Sequence, residues 1–180
     1  DQTMTYSSAL YTAPAMSLAD AQEAKYARIV EELQIGPDDH VLEIGCGWGG
    51  FAEHAIRKTG CRVTGLTLSN EQAKFARDRL EKAGFADRVD IRLEDYRDCR
   101  GQFDHIASIE MFEAVGEEYW PAYFQSVNRL LKTGGKAAIQ TIVIQDELFD
   151  RYRKGTDFIQ QYIFPGGMLP SPAKFRAMAE

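Results

Sequence analysis

Val41-Leu42-Glu43-Ile44-Gly45-Cys46-Gly47-Trp48-Gly49-Gly50 is a short apolar run that breaks into a cluster of glycines. Phe51, Ala52, Ala55 and Ile56 then recur at helical intervals up to Gly60. The stretch reads as strand, glycine turn, helix. That is the opening unit of a parallel sheet whose crossovers are helices.

Working outward, the unit repeats. Upstream, Ser17-Leu18-Ala19-Asp20 has a capping-box pattern, and Leu18, Ala21, Ala24, Ala27, Ile29, Val30 and Leu33 follow at helical spacing until Gly36-Pro37. Downstream, Arg62 to Leu66 reads as a second strand, and a helix from Ser69, with Gln72 completing a second capping box, runs to Gly84. Val89 to Leu93 and Asp104 to Ile109 read as the third and fourth strands. Glu117 to Leu131 is a predicted helix, Lys136 to Ile144 a fifth strand, and Gln145 to Tyr162 a helical, aromatic-rich segment with no strand after it. The expectation is one α/β domain with a doubly wound, mostly parallel, Rossmann-like sheet: an N-terminal helical segment (1–36), a core (37–144) and a lid on the substrate side (145–180). Ligands of such sheets lie beyond the carboxyl ends of the strands.

Composition narrows the function classes. The 180 residues are 44% hydrophobic and 27% charged, ordinary for a folded domain. The net charge of −6 opposes attraction to phosphate backbones, so no nucleic-acid partner is expected. The longest apolar stretches fall far short of a bilayer span. Cys46, Cys61 and Cys99 form no CxxC and have no histidine at zinc-ligand spacing, which speaks against a disulfide framework or a metal site and for a reducing cytoplasm. No export signal is visible at the N-terminus.

Gly45, Gly47 and Gly50 satisfy GxGxxG, a pattern shared by nicotinamide, flavin and S-adenosylmethionine sites. A dinucleotide site expects an acid at the tip of the second strand to hold ribose hydroxyls. That tip is Gly65-Leu66-Thr67-Leu68-Ser69, with no acid. Glu43 before the glycines and Asp95 after the third strand suit S-adenosylmethionine instead. In that reading Gly45, Cys46 and Gly47 pass the amino-acid moiety, Thr67 and Leu68 with Gln72 meet the ribose, and Asp95 with Tyr96 meets the adenine.

Tyr6-Ser7-Ser8, Met16-Ser17-Leu18 with Ala21-Gln22, Val41 to Gly50, Val63 to Ser69 with Gln72, Ser108 to Gly116, and Phe158-Ile159 with Tyr162 to Ser171 together resemble the cyclopropane-fatty-acid synthase and mycolic acid cyclopropane synthase family. The blocks span nearly the whole chain. The resemblance implies transfer of the sulfonium methyl of S-adenosylmethionine to a cis double bond of a lipid acyl chain, followed by proton loss and ring closure. An alkene is a weak nucleophile, so such a site must align the reactants and exclude water. Tyr6, Tyr162 and Phe164 are candidate aromatic faces for the cation. Tyr6, Ser7 and Ile109 join the cofactor-binding set.

The resemblance also implies a bound bicarbonate as base, held by a glutamate and by groups of the N-terminal and fifth-strand segments. By position the glutamate is Glu113, with Glu110 a competitor read as a helix N-terminal acid. Two positions depart from the family pattern: Ser8 stands where cysteine is usual, and Gln140 where histidine is frequent. Gln140 donates hydrogen bonds but does not titrate near neutrality. His40, His54 and His105 are read as structural or solvated rather than catalytic. The family's closing antiparallel strands have no counterpart, so the chain looks like a fragment. Arg151, Arg153, Lys154, Lys174 and Arg176, interleaved with Asp146, Glu147, Asp150 and Asp157, suggest peripheral contact with lipid headgroups at the inner face of the membrane, or a solvated helix face. Competing functions are a small-molecule amine N-methyltransferase and a cofactor-binding module without catalysis.

Overall fold

Ser17 starts the first helix, its Oγ accepting from the Asp20 amide at 3.1 Å, and α1 (Leu18–Leu33) follows. In this computed structural model, which describes residues 3–156 and 158–180, the chain then alternates: β1 (His40–Ile44), α2 (Gly50–Thr59), β2 (Arg62–Thr67), α3 (Asn70–Lys82), β3 (Val89–Leu93) and β4 (Phe103–Ile109). After β4 come α4 (Trp120–Leu130), β5 (Leu131–Gln140), α5 (Asp146–Tyr152) and α6 (Pro172–Ala179). Asp157, read above as part of the charge pattern, lies outside the described residues.

The five strands form one parallel sheet in the order β3-β2-β1-β4-β5. β1 is central, with Glu43 level with Gly65 on one side and Ala107 on the other. Strand alternation sends Val41, Val63 and Ala107 to one face, under Tyr26, Val30, Phe51 and Leu80 of α1, α2 and α3. Leu42, Ile44 and Ile106 go to the other, under Phe112, Trp120, Tyr123 and Phe149. Both faces are therefore covered, as parallel sheets require. Truncating a residue such as Leu42, fully buried, costs about 2–5 kcal/mol.

Four expectations are corrected in detail. The buried stripe of α1 is Ala21, Gln22, Lys25, Tyr26, Ile29, Val30 and Leu33, while Leu18 is 44% exposed. The helix predicted from Glu117 begins at Trp120: Pro121 has no N–H to extend the ladder, and Glu117–Tyr119 forms a separate 3₁₀ turn. β5 runs earlier than predicted, with regular pairing from His105↔Lys136 after an irregularity, and stops at Gln140 because the Ile142 amide goes to the Glu113 carboxylate instead of a strand. The segment 145–162 is not one helix; α5 ends at Tyr152, and a wide π turn occupies Ile159–Ile163. Among the described residues no helix is long and apolar enough to cross a membrane, and the three cysteines are buried free thiols.

Candidate active site

β1 delivers the chain to a turn at which side chains are disfavoured. Gly45 and Gly47 have φ of 82° and 51°, and a Cβ on Gly45 would lie 2.9 Å from Met111 Cγ. The Gly45 and Cys46 amides both donate to the Leu66 carbonyl, at 3.1 and 2.8 Å, which ties the turn to the tip of β2. The result is a narrow cleft beyond the strand ends, where ligands of such sheets lie. Tyr6, Ser7, Glu43, Gly45, Cys46, Gly47 and Ile109 all line it, as the sequence reading grouped them.

Glu43 lines the cleft, 3% exposed, with Oε2 lacking a hydrogen-bond partner among the described residues. Burial raises its carboxyl well above the ordinary range, and the Ala52 amide and the charges of Lys25 and Arg79 only partly oppose this. A buried acceptor without a partner is costly in isolation and marks a place for a donor from outside the chain. The Cys46 thiol is pushed up by burial and by Glu43, so it is no thiolate nucleophile.

The segment Tyr6-Ser7-Ser8 crosses the cleft as a strap anchored on both sides. From α1, Gln22 Nε2 donates to Ser7 O at 2.8 Å and Lys25 Nζ to Ser7 Oγ at 2.6 Å. From α3, Gln72 Nε2 donates to Tyr6 Oη at 3.3 Å while Gln72 Oε1 accepts from Thr67 Oγ1 at 2.8 Å. The Tyr6 ring lies over Gly47, where an added Cβ would meet it at 3.6 Å. Thr67 and Gln72 thus join the cleft through Tyr6, whereas Leu68 is 74% exposed at the rim. Asp95 follows β3 and is occupied by Arg97 through both carboxylate oxygens, and Tyr96 packs edge-on against Tyr123.

At the ends of β4 and β5 the structure brings Ser8 and Gln140 together, as expected, but around Glu110. Glu110 Oε1 accepts from the Ser8 amide and from Gln140 Nε2, both at 2.9 Å, and the Glu110 amide donates to Gln140 O at 2.8 Å. Glu113 instead accepts from the Ile142 amide, and its Oε2 is buried without a partner among the described residues. The reading of Glu110 as a helix N-terminal acid is corrected: φ is +49° there, and the side chain is bonded to the strap and to β5. Tyr162 does not line the cleft; it is 64% exposed and packs on Phe158. Of the basic residues flanking the lid, Arg153 is paired with Glu117 at 3.1 Å. The histidines are structural in their contacts: His40 bonds Thr64 at 2.8 Å, His54 pairs with Glu23, and His105 faces Asp39.

Residues 1–180 match the family model described as mycolic acid cyclopropane synthetase. The chain belongs to that family. A tuberculostearic acid methyltransferase of Mycobacterium tuberculosis is 44% identical over 178 residues, covering 95% of this chain and 42% of the relative. The cyclopropane-fatty-acyl-phospholipid synthase of Escherichia coli K12 is 41% identical over 185 residues, covering 100% and 45%. The chain therefore spans less than half the length of these relatives. A mycolic acid cyclopropane synthase, CmaA1, solved with SAH and CTAB, superposes with a TM-score of 0.90 at 32% identity, over 99% of this chain and 66% of that one.

In this cyclopropane synthetase family member the sequence reading missed Lys25 and undervalued Glu110. The signal for Lys25 was present: it and Gln22 interrupt the buried stripe of α1 one turn apart, and a cation there needs a polar partner above the helix. Nothing in local pattern could have placed Glu110 against Ser8, because the contact spans 102 positions.

Proposed function

We propose that this chain is the cofactor-binding part of an S-adenosylmethionine-dependent C-methyltransferase of the cyclopropane-fatty-acid synthase type, acting on the cis double bond of an unsaturated phospholipid acyl chain. One observation carries it: a positive-φ glycine turn opens a cleft over Glu43, a buried carboxyl with an unpartnered oxygen, and a strap of the chain's own N-terminal residues crosses it. Those residues fit the donor. Gly45 and Gly47 allow close approach of its amino-acid end, Glu43 offers an acceptor to its ammonium, and Gln72 with Thr67 forms the nucleoside side. When bound, S-adenosylmethionine supplies an electrophilic methyl on a cationic sulfur.

The chain's residues do the rest. Tyr6 and the strap shield the cleft from water, which is necessary because water would capture a cation on the acyl chain. The relatives named above for fatty-acid methylation and cyclopropane synthesis support the acyl substrate. Within this reading residues 1–36 supply strap and anchor, 37–144 the cofactor core, and 145–180 the substrate side. Phe158, Tyr162 and Phe164, all exposed in that segment, are the apolar surface it offers to an acyl chain. Three free thiols suit a cytoplasmic protein working at the inner face of a membrane. Bicarbonate, expected from the family pattern, does not fit: the Ser8 and Gln140 donors that would hold it are taken by Glu110.

Calorimetric titration with S-adenosylmethionine tests the cofactor site. Saturable binding is expected, and its loss in Gly47→Asp, where a carboxylate would enter the turn beneath Tyr6. Undiminished binding by that variant would remove the methyl-donor reading. Labelled donor with cis-unsaturated phospholipid should add the mass of one methylene to the acyl chains. Label found only on amines would replace the lipid reading with N-methylation.

A further inference from the structure

We infer that Lys25 is a positioning residue for the methyl donor: acting through the Ser7 hydroxyl, it supplies the positive charge that the donor's α-carboxylate meets, and so makes the cleft selective for a donor that keeps its carboxylate. The inference rests on the S-adenosylmethionine reading above and deepens it. Its basis is geometric. Ser7 lines the cleft, and its Oγ accepts from Lys25 Nζ at 2.6 Å. A serine hydroxyl that accepts at its oxygen still has its own O–H to donate. The charge behind it strengthens that donation.

The surroundings of Lys25 agree. Gln22 and Lys25 stand three positions apart on α1 and therefore share a face, and Gln22 Nε2 fixes Ser7 a second time by donating to its carbonyl at 2.8 Å. Both side chains are buried, at 2% and 4% exposure, in a stripe that otherwise holds Ala21, Tyr26, Ile29, Val30 and Leu33. A lysine buried to this degree normally has a carboxylate partner. Among the described residues none makes an ion pair with Nζ: Glu110 and Glu43 act on it as charges at longer range, and the Tyr26 ring centroid lies 4.8 Å away. A buried cation in this condition favours an anion brought from outside the chain. Burial pulls its pKa down to about 8, a shift that a further carboxylate beside it would offset.

Glu43 supplies the other half. It too lines the cleft, and its buried Oε2 has no partner among the described residues. The glycine turn gives room but no charge, whereas Glu43 and the Lys25–Ser7 pair give one charge of each sign. An amino acid carries an ammonium and a carboxylate on a single carbon, so one zwitterion placed between Glu43 and Ser7 satisfies both. A donor without the carboxylate would set its own ammonium near the Lys25 charge with nothing between them.

Decarboxylated S-adenosylmethionine keeps the nucleoside, the sulfonium and the ammonium and lacks only the carboxylate, so it is the probe. In calorimetry on the intact protein, wild type should bind S-adenosylmethionine about 30-fold or more tightly than this analogue, the scale of one hydrogen bond to a charged group. In Lys25→Met that preference should fall about tenfold. Ser7→Ala removes the hydroxyl without touching the helix face; it should show the same fall, and it carries the test should the lysine variant not fold. A residue that merely anchors the strap would, when replaced, weaken both ligands alike and leave the preference at its wild-type value. That result in the two variants overturns the inference, as does a wild type that binds the two donors equally. Equal binding strikes the inference alone; a wild type that binds neither donor removes the S-adenosylmethionine reading and the inference with it.

Discussion

The Lys25 ammonium donates to Ser7 Oγ at 2.6 Å from a position only 4% exposed. Burial lowers its pKa to about 8, with Glu110 and Glu43 opposing the shift. In the unfolded chain the same lysine holds its proton to about 10.5. Between those values the unfolded state binds more protons, so this group's contribution to stability is present at high pH and lost as pH falls through about 8. Urea midpoints should therefore rise from about pH 7.5 to about pH 9.5 in wild type more than in Lys25→Met, by up to about 1.4 kcal/mol per pH unit. Parallel pH curves for the two proteins would contradict this placement of the charge.

Glu43 has the opposite sign. Its folded carboxyl is raised by burial, so its contribution is complete below the ordinary carboxylate range and is lost as pH rises through the raised value. Glu43→Gln should remove that loss. The variant is expected to be at least as stable as wild type at pH 7 by thermal unfolding, yet to bind S-adenosylmethionine about tenfold or more weakly.

Gly65 sits in β2 where an added Cβ would meet Ile91 Cδ1 at 2.8 Å and Cys46 Cβ at 2.9 Å. Gly65→Val should destabilise by about 1–3 kcal/mol through overpacking. Because Cys46 belongs to the glycine turn, cofactor affinity should fall with stability, as urea unfolding and calorimetry on the same preparation would reveal.

Gln72 links Thr67 to Tyr6 across the cleft rim. Gln72→Leu removes both bonds at a partly exposed site, where each is worth about 1 kcal/mol. Donor affinity should drop about five- to tenfold with little change in unfolding midpoint. A stability loss comparable to that of Gly65→Val would mean that Gln72 serves the core instead.

The elements that the sequence made readable are those specified locally. Ser17 and Ser69 cap their helices as their spacing implies, and Val89–Leu93 is a strand over the residues predicted. The cleft group of Tyr6, Ser7, Glu43, Gly45, Cys46, Gly47 and Ile109 was legible because the glycine turn and the family pattern point to one place. What escaped depends on tertiary competition. Ile142 and Val143 read as strand by composition, but the Glu113 carboxylate takes the Ile142 amide and the two residues stay 47% and 45% exposed. α6 was missed although Ser171-Pro172 is a fair start signal, because the short segment after it has no clear apolar stripe. Glu110 was misassigned because its partners, Ser8 and Gln140, lie 102 and 30 positions away in the sequence.

The strap that roofs the cleft is joined to the end of β4 and to α3 by contacts of long sequence separation, Ser8 to Glu110 and Tyr6 to Gln72. Closing such loops yields little until the central strands have paired. The cleft-spanning half of the roof should thus assemble late and open early, while Ser7 stays tied to Gln22 and Lys25 of α1. The Ser8 amide should exchange its hydrogen long before those of β1, and bound cofactor should slow it most. Ligand entry and the earliest step of unfolding are then one and the same local event.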